Sequence, residues 1–355
     1  MSIHPPAASQ PDLLIGDKDF LQAVEQGAIS EAQAQLLRGL WAPRAARGPR
    51  FGMTNVLFYL GGLIAISAMT LFMTLSWNSL GLFGLLSISL AYMGLFIVGA
   101  DKLSRSGHAV PAGILATLAI AIAPLVCWCA QNALGFWPEG SDFGHGGISS
   151  YHYHIDGRWI VLELSTLATA AVLLWRMRLP FMMMPVAATL WYMSMDLSNL
   201  WGASPWSEAA RSTSMVFGLG TIALALYIDA RRLSAHDGLD FAFWPHLFGV
   251  VMFWGALSMS DSHSELGKLA YGAANVAMVL GGAALGRRVY TVFGGLGLLG
   301  YLGHLSYALF SDSTLFPFVL MILGLGVAAA GIWWQRHEAA IHAQLSAWLP
   351  ASLRR

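Results

Sequence analysis

Apolar residues in this chain come in long unbroken blocks, not in the spaced stripes of a soluble helix or the alternation of a strand. Ten such blocks follow one another, at 54–75, 80–100, 109–130, 159–176, 180–198, 211–229, 241–259, 266–286, 289–309 and 314–334. A helix rises about 1.5 Å per residue, so crossing a hydrocarbon core about 30 Å thick takes about 20 residues, with a range of about 17–25. Each block fits that length. In lipid a helix satisfies all its backbone polar groups within one segment, so the blocks predict helices. Internal prolines (Pro124, Pro185, Pro245, Pro317) are tolerable there, because neighbouring helices re-satisfy the carbonyls they release. The predicted class is all-α: a polytopic integral membrane helix bundle of about ten transmembrane helices. No internal repeat aligns its two halves.

Composition agrees, and charge adds direction. Of 355 residues, 56% are hydrophobic and 11% charged, less than half the roughly 25% charge of a soluble domain. Fourteen Trp suit two membrane interfaces, where amphipathic rings collect. Lys+Arg and Asp+Glu are 19 each, so no basic excess points to nucleic acid. With the N-terminus inside, sixteen of the 19 Lys and Arg fall on the cytoplasmic side and three (Arg158, Arg211, Lys268) on the other. Each internal cytoplasmic loop carries a basic pair: Lys102 with Arg105, Arg176 with Arg178, Arg231 with Arg232, Arg287 with Arg288. This is the positive-inside pattern, and an odd error in helix number would scramble it. Both termini are therefore expected in the cytoplasm. The first fifty residues are polar and mixed, without a cleavable leader pattern, so the first span is expected to direct insertion itself.

Three regions result: a cytoplasmic helical hairpin and basic linker at 1–50, a membrane domain at 51–336, and an amphipathic cytoplasmic tail at 337–355. In the hairpin, Gly27 fits the residue that ends one short helix, and Ser30 with Gln33 reads as the capping box that opens the next. Phe20, Leu21 and Val24 face Leu36, Leu37, Leu40 and Trp41. So small a core needs support from the membrane domain or from a protein partner. The tail sets Ile341, Leu345, Trp348 and Leu349 on one face, which suits the membrane surface or a dock on the hairpin.

The Gly27, Ile29, Ser30 turn, the Leu60-Gly61-Gly62 opening of the first span and the Trp77-Asn78 pair at its end carry a family likeness. Over about residues 17–80 the chain resembles bacterial predicted membrane proteins with the domain of unknown function number 2157. Ala28 stands in the turn where that pattern runs straight from Gly to Ile. The resemblance implies a multi-pass protein of a bacterial inner membrane, and brings no activity, cofactor or site residues with it.

Ionisable and polar groups at membrane depth are costly and so are the first candidates for chemistry. Glu163 lies about one turn inside the fourth span from its outer end, His304 at similar depth on the ninth, and Asn275 near the middle of the eighth. Glu163 with His304 would make a proton-sensitive pair and Asn275 would line the route; snorkelling and helix–helix hydrogen bonds are the structural alternative. Asp196 closes the fifth span, and His246 follows Pro245 near the inner end of the seventh. The outer loop carries His145, His152 and His154, weak candidates for Zn²⁺ or Cu²⁺ because imidazole suits both, with a solvated rim loop as the bland reading. Cys127 and Cys129 point about 200° apart on a helix and make a poor chelate. Met182, Met183 and Met184 read as apolar filler. Gly294, Gly297, Gly300 and Gly303 recur every third residue and predict close packing of the last three spans.

No nucleotide-binding loop, zinc-protease helix or serine-hydrolase elbow is present, and no cofactor is implied. Three functions remain open. The leading one is a secondary transporter or permeation protein for a small solute, proton-linked through Glu163 and His304. The others are a membrane scaffold or sensor that recruits a partner through the hairpin, and an intramembrane enzyme without a recognisable motif. A polar cavity reaching Asn275 would favour the first; a dry, Gly-packed interior would favour the second.

Overall fold

The computed structural model describes residues 24–37, 53–137, 157–200, 207–235, 240–260 and 264–310, with isolated positions between 317 and 350. Every regular element among the described residues is helical. The chain divides into two compact units, Met1–Arg50 and Phe51–Arg355.

In the first unit the chain turns at Gly27 (φ +68°) and a helix runs over 31–37. The two bonds of a capping box both form. The Gln33 N–H donates to Ser30 Oγ (3.2 Å) and the Ser30 N–H donates to Gln33 Oε1 (2.9 Å), so two donors that the helix start would orphan are satisfied locally. Phe20, Leu21, Leu40 and Trp41 lie outside the described residues.

In the second unit the helices are α1 (Met53–Arg105), α2 (Ala109–Ala133), α3 (Gly157–Met177), α4 (Met183–Leu200), α5 (Glu208–Ala235), α6 (Phe243–Ser258), α7 (Glu265–Leu285) and α8 (Arg288–Phe310). A 3₁₀ turn, Pro180–Met182, leads into α4. Five segments are long and apolar enough to cross a membrane: Leu80–Arg105, Ala109–Ala133, Gly157–Met177, Glu208–Arg231 and Leu266–Leu285. The unit's outer surface suits lipid: Trp175 is 81% exposed and Phe83 74%, with many further large apolar side chains outward. Serine and threonine hydroxyls turn back on their own helices, as Thr166 does to the Leu162 carbonyl (2.9 Å) and Thr221 to Phe217 (2.8 Å), which keeps them satisfied without water.

Residues 76–79, expected as the connection between the first two spans, are helical instead. The break comes at one residue, Gly81, whose φ of 63° and ψ of 174° suit glycine alone. A Cβ on Gly62 would meet Ile114 at 2.9 Å and one on Gly99 would meet Leu115 at 3.0 Å. These glycines sit nearly equidistant from Gly81, before and after it, and abut adjacent residues of α2. The two halves of α1 therefore lie side by side, folded back at Gly81.

Most sequential helices pack on one another: α1 on α2, α2 on α3, α3 on α4, α4 on α5, α5 on α6 and α7 on α8, while α6 packs mainly against α4 and α8 besides α5. Small residues set the closest approaches. A Cβ on Gly218 of α5 would sit 2.6 Å from the Phe253 nitrogen of α6, so those two backbones meet directly. At one end α1, α2, α3 and the 3₁₀ turn share a core of Ala100, Ala112, Ala116, Ala170, Leu173 and Met182. Met182 is filler there, as its flexible side chain suits.

Candidate functional site

Two polar regions stand out, at opposite ends of the bundle. Arg211 and Asp229, one in each region's vicinity, are about 27 Å apart along α5 at about 1.5 Å per residue. The Glu163 end is open in its interior; the Arg287 end is tightly bonded.

At the Glu163 end, α2, α3 and α4 enclose a cavity of about 300 Å³. Prolines help to shape it: Pro124 breaks the ladder of α2, and Pro185 sits in the first turn of α4, where a missing N–H is tolerated. The Phe181 carbonyl, just before α4, accepts from the Thr117 hydroxyl of α2 (3.2 Å), tying the two elements together. Glu163 of α3 and Asp196 of α4 both line this cavity, with Trp159 and Tyr192 as aromatic walls. Glu163 is 8% exposed, and neither of its carboxyl oxygens has a hydrogen-bond partner among the described residues. Asp196 is the ionisable group that acts on it electrostatically. A buried carboxyl without a partner is uncommon, because burial without a hydrogen bond or counter-charge is unfavourable by several kcal/mol.

A tryptophan cluster roofs this region. Trp137, 9% exposed, donates from Nε1 to Gln131 Oε1 (3.0 Å) and packs edge-on to Trp159 at 5.7 Å between ring centroids. The Arg158 guanidinium lies 4.6 Å from the Trp137 ring centroid and donates to the Phe136 carbonyl (2.9 Å), so this cation is engaged with the aromatic cluster. On the other side of α4 a second cavity, of about 410 Å³, opens between α4, α5 and α6, with Trp191, Ser198, Arg211 and Met252 on its walls.

At the opposite end, α7 finishes at Gly286 (φ 62°), with the Arg287 N–H bonded to the Gly282 carbonyl (2.9 Å) in a Schellman turn. That turn delivers the Arg287 side chain inward. It grips Asp229 of α5 through Nε (3.1 Å) and Nη2 (2.5 Å), and Asp240, just before α6, through Nη1 (2.6 Å) and Nη2 (2.9 Å). Such two-pronged pairs are the strongest of charge-assisted bonds. Burial alone would lower the Arg287 pKa, but the hydrogen bonds and charges of Asp240 and Asp229 outweigh it and hold the guanidinium above its ordinary range. His246 of α6, fully buried, places Nε2 3.0 Å from Asp229 Oδ2 and Nδ1 2.6 Å from the Tyr290 hydroxyl of α8. The Asp229 carboxylate can only accept, which assigns the ring hydrogen to Nε2; in the neutral ring Nδ1 then accepts from Tyr290. Four elements are joined by one bonded set.

The other sequence candidates lie elsewhere. His304 is exposed on α8 and does not line the Glu163 cavity. Asn275 is fully buried but faces neither cavity. Its Oδ1 accepts from Trp254 Nε1 (3.0 Å), its Nδ2 donates to the Tyr271 carbonyl (2.8 Å), and a Cβ on Gly297 would overlap its amide. Asn275 is thus a sealed joint between α6, α7 and α8. His145, His152 and His154 lie outside the described residues, among which no group of three His, Cys, Asp or Glu could hold a metal ion. Cys127 and Cys129 are both thiols without a disulfide.

Sequence reasoning named Asp196 and His246 without finding their partners, and it missed Asp229, Asp240 and Tyr290. A signal existed: two acidic residues bracket the loop between α5 and α6, at the end where Arg287 must lie if the helices alternate. No protein-family model, curated protein or solved structure matches the chain.

Proposed function

We propose that this chain is a multi-pass protein of a bacterial inner membrane, with about ten spans and both termini in the cytoplasm, that carries or conducts a small solute through the Glu163 cavity. The single observation behind the solute site is a buried carboxyl, with neither oxygen bonded, facing a cavity of about 300 Å³ that it shares with a second carboxyl, Asp196. That volume lies at the small end of ordinary ligand pockets, which run from about 300 to 1,000 Å³. A group left unsatisfied in the resting protein is one whose partner is supplied by a ligand or a proton. Proton linkage then belongs to Glu163 with Asp196, not to Glu163 with His304. The likeness of residues 17–80 to the proteins with the domain of unknown function number 2157 fits this placement.

Support for the topology comes from the basic pairs at alternate loops and from the fold-back of α1 at Gly81, which makes two antiparallel segments of one long helix. A fluorescent protein fused after Arg355 is expected to be bright in the cytoplasm; a dark, exported fusion refutes the even span number. In reconstituted vesicles, flux driven by a pH gradient is expected to vanish in Glu163→Gln, and flux equal to that of the native protein removes the cavity from the pathway.

One observation favours a second reading. The contact of Asn275 with Gly297 and Trp254 packs α6, α7 and α8 closely at that level. A scaffold or sensor that binds a partner through its N-terminal unit accommodates such a rigid half as readily as a carrier does. Flux separates the two.

A further inference from the structure

We infer that the second cavity, between α4, α5 and α6, is a binding site for a small neutral aromatic molecule with one hydrogen-bond donor, of the phenol class. It lies on the other side of α4 from Glu163, and the inference does not depend on what the Glu163 cavity carries.

The cavity holds about 410 Å³, within the range of about 300–1,000 Å³ for ordinary ligand pockets. Its wall is graded along its length. At about 1.5 Å per residue, Trp191 lies about 12 Å deeper along α4 than Asn199, and Met252 about 10 Å deeper along α6 than Met259. Met252 is 2% exposed and Met259 57%, so the mouth is at the Met259 end. The deep end suits a ring. The Trp191 indole is held against Phe248, at 6.0 Å between ring centroids, and Met195 and Met252 bring thioethers to the same walls. Aromatic rings pack offset or edge-on, and sulfur makes favourable contacts with a ring about 5 Å away. The polar part of the wall asks for a donor. Ser198, 2% exposed, spends its hydrogen on the Met195 carbonyl (2.7 Å), which leaves only its lone pairs for another partner. A ligand O–H or N–H can meet them. A net charge is not called for. Among the described residues the wall offers a cation no carboxylate, and its one ionisable group, Arg211, already takes part in an interaction of the protein. An ion would also leave water for a mainly apolar space, a penalty that a neutral ring escapes.

The test is equilibrium binding of radiolabelled thymol to the full-length protein in lipid nanodiscs, with protein-free nanodiscs subtracting partition into lipid. Saturable binding is expected. Thymol methyl ether, which keeps the ring and loses the donor, should bind about fivefold more weakly, and this comparison needs no variant. Ser198→Ala is expected to weaken thymol by a similar factor and to leave the ether unchanged. Gly255 is a wall residue with nothing within 4 Å of its Cβ position, so Gly255→Leu has room to fill the cavity and should abolish binding. Gly220→Ala on α5, equally free of neighbours but not on the wall, should bind thymol as the native protein does. Thermal unfolding of each variant in detergent checks that it folds. Absence of saturable binding above the protein-free discs overturns the inference, as does thymol binding that survives Gly255→Leu in a folded variant. Equal affinity for thymol and its ether overturns the donor requirement. Tighter binding of the carboxylate cuminate than of thymol overturns the neutral class.

Discussion

The two buried acidic centres of this protein are built on opposite principles. Asp229 sits at the end of α5 with a guanidinium on both oxygens and an imidazole on one of them. Glu163 sits on α3 with neither oxygen bonded and a cavity in front of it. Both are carboxyls almost removed from solvent, at 6% and 8% exposure. One has been compensated by the fold itself; the other awaits compensation from outside. Burial depth alone therefore does not separate a structural charge from a functional one. What separates them is whether the fold has already supplied the partner.

That contrast can be broken by substitution, and the largest effect falls at the compensated centre. Arg287→Ala strands Asp229 without its counter-charge, and removing one member of a buried pair costs about 3–5 kcal/mol. Thermal unfolding in detergent should show a large drop in midpoint, and an unchanged midpoint would mean the network is not a clamp. Next is the sealed joint. Gly297→Ala drives a Cβ into the bonded Asn275 amide, an overpacking that costs about 1–3 kcal/mol. Gly300→Ala, with nothing within 4 Å of its Cβ, should fall within about 0.5 kcal/mol of the native protein. Equal losses at the two glycines would contradict the placement of α7 against α8.

Smaller still is Tyr290→Phe, which removes the donor to His246 Nδ1 and leaves a buried acceptor unsatisfied at about 1–2 kcal/mol. The same unfolding curve reads it, and a neutral outcome would mean the Tyr290–His246 bond is idle. Smallest, and opposite in sign, is Glu163→Gln. It replaces a desolvated carboxyl with an amide of the same shape, so the midpoint should hold or rise by the equivalent of up to about 1 kcal/mol. A fall as large as that of Arg287→Ala would show that Glu163 is structural after all.

Much of the helical framework was legible in the residues. The blocks of apolar sequence place α2 to α8 close to their observed ends, except that α5 runs on past the expected 229 to Ala235, because helix formation in lipid answers to segment length and backbone satisfaction, both local quantities. The Ser30–Gln33 capping box was legible for the same reason, its partners being three residues apart. The Gly81 break was not. Hydropathy pointed to a loop at 76–79, whereas a single glycine in a conformation barred to other residues reverses the chain.

The polar centres divide along the same line. Glu163, Asp196, His246 and Asn275 were visible one by one as polar groups within apolar blocks. Their partners were not, since Asp229, His246, Arg287 and Tyr290 come from separate helices and meet only when each helix has a set rotation about its own axis. Arg287 shows the difference most plainly. In the sequence it is one of a basic pair that orients a loop; in the fold the Gly286 turn carries it inward onto two aspartates.

The sequence by itself determined that the chain forms long apolar helices, roughly where each begins, and which polar groups would find themselves in a poor solvent. Tertiary structure alone decided which of those groups were answered. Helix rotation and spacing are set by contacts such as Gly218 on Phe253 and Gly297 on Asn275, and those depend on residues far apart in the chain. The same packing that closed α7 on α8 around Asn275 left Glu163 facing an open space. Its surroundings, two carboxyls and two aromatic rings among the described residues, are a property of three helices together and of none of them alone.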